Sequence, residues 1–311
     1  MSLSAQALQG IRVAAERSLF YFSRSVLGLK FLSASLHKEC CEFLTNASHK
    51  KLFMIPRDHC KTTLEKAMCL HQIIQPASSN IYFPGMAGTD VRIIFAGETS
   101  RNTARHLRNI ELVIENNQLF QALWPHVKPG RKWSEHEMEI VRSTNYSEPT
   151  IEALGVDTAI ASRHVDHILC DDIFTFAASQ SATIAETVSL WFKALDAILD
   201  ESENLESRLT VVGTPWSGND IYAQMLEMNQ EFHSLGIAPE YDVYRRGAIE
   251  NHQPIWPERF PLERLKRIEL RLRGTGRWAL NYMCEYIDSE LNDLKTSWLQ
   301  PFSFRDGVIY V

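Results

Sequence analysis

Lys61 and Thr62 stand where an apolar run gives way to an amphipathic pattern, and two adjacent acids, Asp171 and Asp172, end another apolar run. A lysine and a hydroxyl at the head of a helix suit a phosphate. The ammonium of Lys61 is a point charge for β- and γ-phosphates, and the hydroxyl of Thr62 is a ligand for Mg²⁺. The helix N-terminus adds unpaired N–H groups and partial positive charge. A carboxylate at the end of a neighbouring strand holds the same Mg²⁺, and a second acid orients or deprotonates an attacking water. The implied chemistry is hydrolysis of a nucleoside triphosphate, with Asp171 on the metal and Asp172 on the water.

The elements that must position these groups are readable on either side of them. Residues 52–55 have strand length and composition, 56–61 are the connection, and Leu64, Ala67, Met68, His71 and Ile74 share one helical face. The loop departs from the usual phosphate-loop pattern. Cys60 and Ile55 occupy the places of its two glycines, and no Gly lies between Gly28 and Gly85. Glycine suits such loops because the backbone must approach phosphate closely, often with φ > 0. Two plainer readings therefore stay open at this point: a strand-to-helix turn with a surface lysine, and a pair of acids that only ends a strand. A third run, 209–212, ends in Gly213-Thr214-Pro215; Thr214 there either senses a γ-phosphate or belongs to an ordinary turn.

Along the chain, residues 4–30 read as helical, and a further helical face runs from Leu36 to Thr45. Residues 76–90 are rich in turn formers and read as a surface excursion. Strands are expected at 91–96, 138–143, 150–154, 168–170, 209–212, 232–238 and 242–246. Helices are expected at 100–116, 179–201, 220–228, 261–273 and 278–286. In the helix at 100–116, Thr103, Leu107, Ile110 and Ile114 face inward. Leu190, Ala194, Ala197 and Ile198 are the apolar positions of the one at 179–201. Strands alternating with helices predict an α/β fold with a mostly parallel central sheet covered on both faces. The divisions expected are an N-terminal helical segment, 1–45, packed on the core; an ATPase core, 46–250; and a C-terminal linker or lid region, 251–311, containing a small helical subdomain.

The chain has 311 residues, 45% of them hydrophobic and 23% charged, with net charge −6. That composition supplies a large core and gives no global electrostatic case for nucleic-acid binding, which would need local patches. The six cysteines show no paired C-x-x-C spacing and, with no signal-peptide pattern, read as reduced thiols. The apolar stretch 20–33 is interrupted by Arg24 and Lys30, and no run is long enough to span a bilayer.

Several segments, in order, resemble the N-terminal ATPase domain of the large terminase subunit of tailed bacteriophages, a DNA-packaging motor. They are P-R-D-H-C-K-T-T (56–63), I-I-F-A-G-E-T-S (93–100), N-N-Q-L-F-Q-A-L-W-P (116–125), the stretch 151–173 ending in C-D-D-I, V-V-G-T-P-W-S-G-N-D-I-Y (211–222) and I-W-P-E-R-F (255–260). The resemblance covers roughly residues 30 to 290 and implies a P-loop NTPase of the RecA/ASCE type that uses ATP and Mg²⁺. It implies a phosphate loop comprising Arg57, Asp58, His59, Cys60, Lys61, Thr62 and Thr63. Arg57 would grip the γ-phosphate in cis. Thr62 and Asp171 would hold Mg²⁺, and Asp172, often Glu in the family, would be the catalytic acid. Thr214 would sit in the coupling motif. Arg163 would reach a neighbouring subunit's site as an arginine finger, or else pair with Asp166 or another acid. His37 would contact adenine, or else be a partly buried helix histidine.

The partners implied are double-stranded DNA bound through its backbone, further copies in a ring, the portal and the small terminase subunit, with no membrane. The place implied is the cytoplasm of the infected bacterial host. Arg101, Arg105 and Arg108, and the cluster Arg264, Lys266, Arg267, Arg271, Arg273 and Arg277, are candidate DNA contacts; the second cluster also suits a solvated face paired with Glu258, Glu263 and Glu269. Large terminases carry a second, RNase H-like nuclease domain, which is expected not to lie on this chain. The readings to be weighed against a motor are a nucleotide-binding assembly module with little turnover, because its loop lacks glycine, and a helicase. A helicase would need a second RecA-like domain, for which the residues after the core are too few.

Overall fold

The computed structural model describes residues 4–160, 163–199 and 206–286, together with the backbone of two short strands, Ser303–Arg305 and Val308–Tyr310. Eight strands form one sheet: β1 (Lys50–Met54), β2 (Ile93–Gly97), β3 (Pro129–Trp133), β4 (Glu137–Ile140), β5 (Ile151–Gly155), β6 (His167–Asp171), β7 (Arg208–Gly213) and β8 (Asp242–Arg245). Their order is β3-β4-β5-β2-β6-β7-β1-β8. From β5 to β8 every pairing is parallel, while β3 and β4 close one edge as an antiparallel hairpin. The inner parallel strands β2, β6 and β7 are buried along their whole length, as helices on both faces require.

Alternation along each strand sends neighbouring residues to opposite cores. Phe53, Ile93, Phe95, Leu169 and Val212 face one cluster, and Leu52, Met54, Ile94, Ala96, Ile168, Cys170 and Val211 the other. The first cluster is covered by α1 (Ala5–Arg17), α2 (Leu19–Tyr21), α3 (His37–Thr45), α4 (Lys61–Ile73), α5 (Ser100–Asn116) and α6 (Gln118–Leu123). The second is covered by α7 (Phe176–Ser179), α8 (Ala182–Lys193) and α9 (Ile221–Ser234). Helices α10 (Leu262–Arg271) and α11 (Arg277–Asn281) follow, after a two-residue-per-strand hairpin, β9 (Ile249–Glu250) with β10 (Gln253–Pro254). The N-terminal segment is tied to α4: His71 Nε2 meets the Ala15 carbonyl at 2.8 Å, and Gln75 Nε2 donates to the Glu16 carbonyl at 3.0 Å.

Four expectations from sequence need correction, and one strand, β3, was not foreseen. Residues 232–238 form no strand: α9 runs on to Ser234, and Gly236, at φ 72°, closes it as the Ile237 N–H returns to the Phe232 carbonyl. The long helix at 179–201 is three pieces, because Ser181 caps α8 by accepting the Ile184 N–H and residues 194–198 tighten to a 3₁₀ turn; its Leu190 is exposed. The last residues of that expectation, 200–201, lie outside the described residues. The stretch 76–90 is not merely a surface excursion, since Tyr82 and Phe83 are buried beneath it. The helix expected at 278–286 stops at Asn281. Strand β3 has no alternating apolar signal because it is an exposed edge carrying Pro and Gly.

Candidate functional site

Parallel packing brings the carboxyl ends of β1, β6 and β7 side by side, with Met54 beside Gly213 and Asp171 beside Val212. Crevices outside such strand ends are where α/β sheets bind ligands. A cleft of about 480 Å³ opens there, lined by Phe31, Arg57, Asp58, Cys60, Lys61, Thr62, Thr63, Asp172, Thr175, Thr214, Trp216, Arg259 and Asn281.

The loop from β1 to α4 solves its missing glycines by taking the left-handed conformation with other residues. Asp58 has φ 65°, and Cys60, the residue before α4, has φ 70° and ψ 22°. A non-glycine residue there costs on the order of 1 kcal/mol of backbone strain. The first N–H groups of α4, on Lys61, Thr62 and Thr63, are left without intrahelical partners, while the Leu64 N–H returns to the Cys60 carbonyl at 2.9 Å. Lys61, 6% exposed, bends back so that Nζ donates to the Ile55 carbonyl at 3.1 Å and the Pro56 carbonyl at 3.5 Å. Both acceptors are neutral carbonyls. The Cys60 thiol is pushed up to about 11 by burial, which keeps it protonated.

The acids meet this loop directly. Thr62 Oγ1 donates to Asp171 Oδ1 at 2.9 Å. Burial, then the neighbouring Asp172, pushes the Asp171 carboxyl up to about 7. His106 of α5 approaches Asp171 Oδ2 with Nε2 at 3.7 Å, and burial holds that imidazole down to about 4, hence neutral. Asp172 is turned out of the strand by a positive φ of 43°, its N–H held by the Val212 carbonyl at 2.9 Å, and its buried Oδ1 has no hydrogen-bond partner. Beneath them Glu65 of α4 is fully buried with both carboxyl oxygens unpartnered. Burial, then Asp171 and Asp172, raises its carboxyl well above the usual range and keeps it neutral. Among the described residues no group of three His, Cys, Asp or Glu converges as a self-sufficient metal cage. Thr62 and Asp171 nevertheless suit Mg²⁺, which takes few protein ligands and completes its shell with phosphate and water.

Not every residue expected at the site reaches the cleft. His59 is fully buried, stacked on Phe260 with ring centres 4.5 Å apart, its Nδ1 2.9 Å from the Arg57 carbonyl. His37 is also fully buried, edge-on to Trp256 at 4.5 Å. Burial holds both imidazoles down to about 4, and neither borders the cleft. The adenine contact expected of His37 is thus corrected: aromatic packing shuts it behind the loop. Arg163 does not border the cleft of its own chain. It pairs with Glu152, Nη2 to Oε1 at 2.8 Å, rather than with Asp166, which holds Arg92. Residues that sequence reasoning missed are Phe31, Thr175, Trp216, Arg259 and Asn281. Trp216 and Arg259 lie inside motifs already singled out, whereas Asn281 carried no signal. Arg259 lies over Trp256 at 5.4 Å and Phe31 at 5.9 Å, and Phe31 keeps 47% of its surface exposed.

No family model matches the chain, and no curated protein matches it. Among solved structures it is similar to the large terminase ATPase domain of Thermus phage P74-26, at 11% identity and a TM-score of 0.50, over 85% of this chain and 97% of that one. It shares that domain's fold. A second similar structure is the large terminase of bacteriophage HK97, at 16% identity and a TM-score of 0.43, over 71% of this chain. The match spans 40% of the length of that protein. Helices cover both faces of the sheet, and the cleft lies at its strand ends, where doubly wound α/β sheets bind ligands. Among the described residues no helix is long and apolar enough to cross a membrane.

Proposed function

We propose that this chain is an ATPase coupling hydrolysis to the movement of double-stranded DNA, as the motor part of a terminase-type packaging machine. The observation that carries the reading is the Thr62–Asp171 contact, which joins α4 and β6 beside a cleft lined by Lys61, Thr62 and Asp172. In this reading Lys61, released from its two carbonyl acceptors, and the α4 N–H groups bind the β- and γ-phosphates. Thr62 and Asp171 hold Mg²⁺, which neutralises phosphate charge when bound. Asp172, which lines the cleft, accepts a hydrogen bond from the attacking water and takes its proton. Arg57 and Thr214 face the terminal phosphate, and Phe31 with Arg259 offers a flat cationic wall for the base.

DNA contact would be made through its backbone. Arg101 and Arg105 on α5 are exposed, while Arg108 is occupied by Glu111 and Glu115. On α10, Arg267 pairs with Glu263, while Lys266 and Arg271 are exposed, as is Arg273 just beyond the helix. Arg163 serves a neighbouring copy in a ring only after leaving Glu152. The portal, the small terminase subunit and the host cytoplasm are the assembly and place that follow from this role.

Phosphate release by wild type, Lys61→Ala and Asp172→Ala tests the proposal. The expected result is a loss of at least about 100-fold in both variants. Equal release in all three would leave a nucleotide-binding assembly module instead.

A further inference from the structure

Asn281 stands in the stretch that sequence assigned to a linker or lid, outside the hydrolytic core, yet it is 3% exposed and borders the cleft. Its backbone carbonyl accepts the Arg57 N–H at 2.8 Å, and its side-chain Nδ2 donates to the Pro215 carbonyl at 2.8 Å. One residue therefore ties the phosphate loop to the loop after β7, the segments that carry Arg57 and Thr214.

The chain around it is fastened to the same strand ends. The Tyr282 carbonyl accepts the Ala248 N–H at 2.7 Å, the Cys284 carbonyl accepts Arg245 Nε at 2.6 Å, and Tyr286 Oη donates to Asp220 Oδ1 at 2.8 Å. The Arg277 guanidinium lies 4.3 Å from the ring centre of Phe176, just beyond β6. These ties fix the position of Asn281 independently of its own amide. The amide is then free to set a distance rather than merely to hold the segment down.

We infer that Asn281 is a positioning residue for hydrolysis. It fixes the separation of the phosphate loop and the post-β7 loop, and with it the placement of Arg57 and Thr214 about the terminal phosphate. The inference rests on the nucleotide reading above. A diphosphate engages Lys61 and the α4 N-terminus but leaves empty the place that Arg57 and Thr214 flank. Loss of the amide donor therefore slows turnover of the triphosphate without weakening the diphosphate.

Asn281→Asp keeps the size of the side chain and the backbone bond to Arg57 but faces the Pro215 carbonyl with an acceptor. Tyr286→Phe cuts only the tie of the same segment to Asp220 and serves as the comparison. The readings are kcat and KM for ATP, the Kd of Mg²⁺-ADP by calorimetry, and the melting temperature. The expected result for Asn281→Asp is a kcat at least about tenfold lower with the ADP Kd within about twofold of wild type, while Tyr286→Phe keeps kcat. The inference is overturned by a kcat within about twofold of wild type, or by parallel losses of kcat and ADP affinity in both variants. Asn281→Ala, judged by the same readings, replaces an aspartate variant that does not fold. If both position-281 variants unfold and Tyr286→Phe does not, the residue is structural only and the inference fails. A wild type that binds no ADP sinks the nucleotide reading and this inference together; ADP binding with an unaffected Asn281→Asp sinks this inference alone.

Discussion

The amino ends of β1, β6 and β7 are as rich in buried charge as their carboxyl ends. At the amino ends the buried acid is paired with a cation. Asp166 takes the Arg92 N–H at 2.7 Å and its guanidinium at 2.7 and 3.1 Å. Arg208 donates to the carbonyls of Tyr82, Asn46 and Ser48, and His167 sits between Gln72 and Thr210 at 2.9 Å each. Lys51 is less well served, with the Asn46 carbonyl at 3.0 Å and burial holding its ammonium down to about 7. At the carboxyl ends Lys61 likewise has only carbonyls, Asp172 Oδ1 has no partner, and Asp171, bonded to the Thr62 hydroxyl, lies beside another acid. Charge alone does not mark a site; charge left uncompensated at the edge of a cleft does.

The comparison breaks most visibly if a closed-end pair is cut. Asp166→Ala breaks a buried ion pair and is expected to cost about 3–5 kcal/mol in denaturant unfolding. Lys61→Ala should change stability little while removing activity. Equal losses of stability in the two variants would erase the distinction between the ends.

Acid should act next, through histidines buried neutral. His37, His59, His71 and His106 are held down to about 4 by burial. Between the ordinary value of 6.5 and about 4 the folded chain binds fewer protons than the unfolded one, so stability falls as pH falls through that window. Asp171 and Glu65, with raised values, act in the opposite sense and only partly offset this. Melting temperature followed from pH 7 to pH 4 should drop steeply below 6.5; a flat profile would contradict the buried, neutral histidines.

The smallest effect is the most pointed. Asp171→Asn removes a carboxylate that burial and Asp172 disfavour, and keeps an oxygen to accept the Thr62 hydroxyl. It should raise the melting temperature at pH 8 by about 2–4 °C and abolish phosphate release. The gain should shrink at pH 5, where the wild-type carboxyl already carries its proton. A lower melting temperature at pH 8 would show that Asp171 is a compensated charge like Asp166.

The order of apolar runs and helical faces was enough to predict an α/β fold with a mostly parallel sheet, because burial on both faces leaves largely apolar runs at 91–96, 168–170 and 209–212. Lys61, Thr62, Asp171, Asp172 and Thr214 were legible for the same reason: each follows such a run, and parallel strands must end together. Residues 232–238 misled, since an aromatic and aliphatic run suits a strand locally, whereas α9, capped by Asp220, carries the helix on to Ser234 and Gly236 closes it. His37 and His59 looked available because nothing in a sequence shows that Trp256 and Phe260 close over them.

The sequence by itself determined which residue types could bind phosphate and metal and which strand ends would carry them, since local pattern and strand direction suffice for that. The tertiary structure alone decided which of these groups went uncompensated, and that Asn281, from a stretch read as a linker, joins two of the loops. Those outcomes depend on contacts between segments tens to hundreds of residues apart, and no local pattern encodes a distance of that kind.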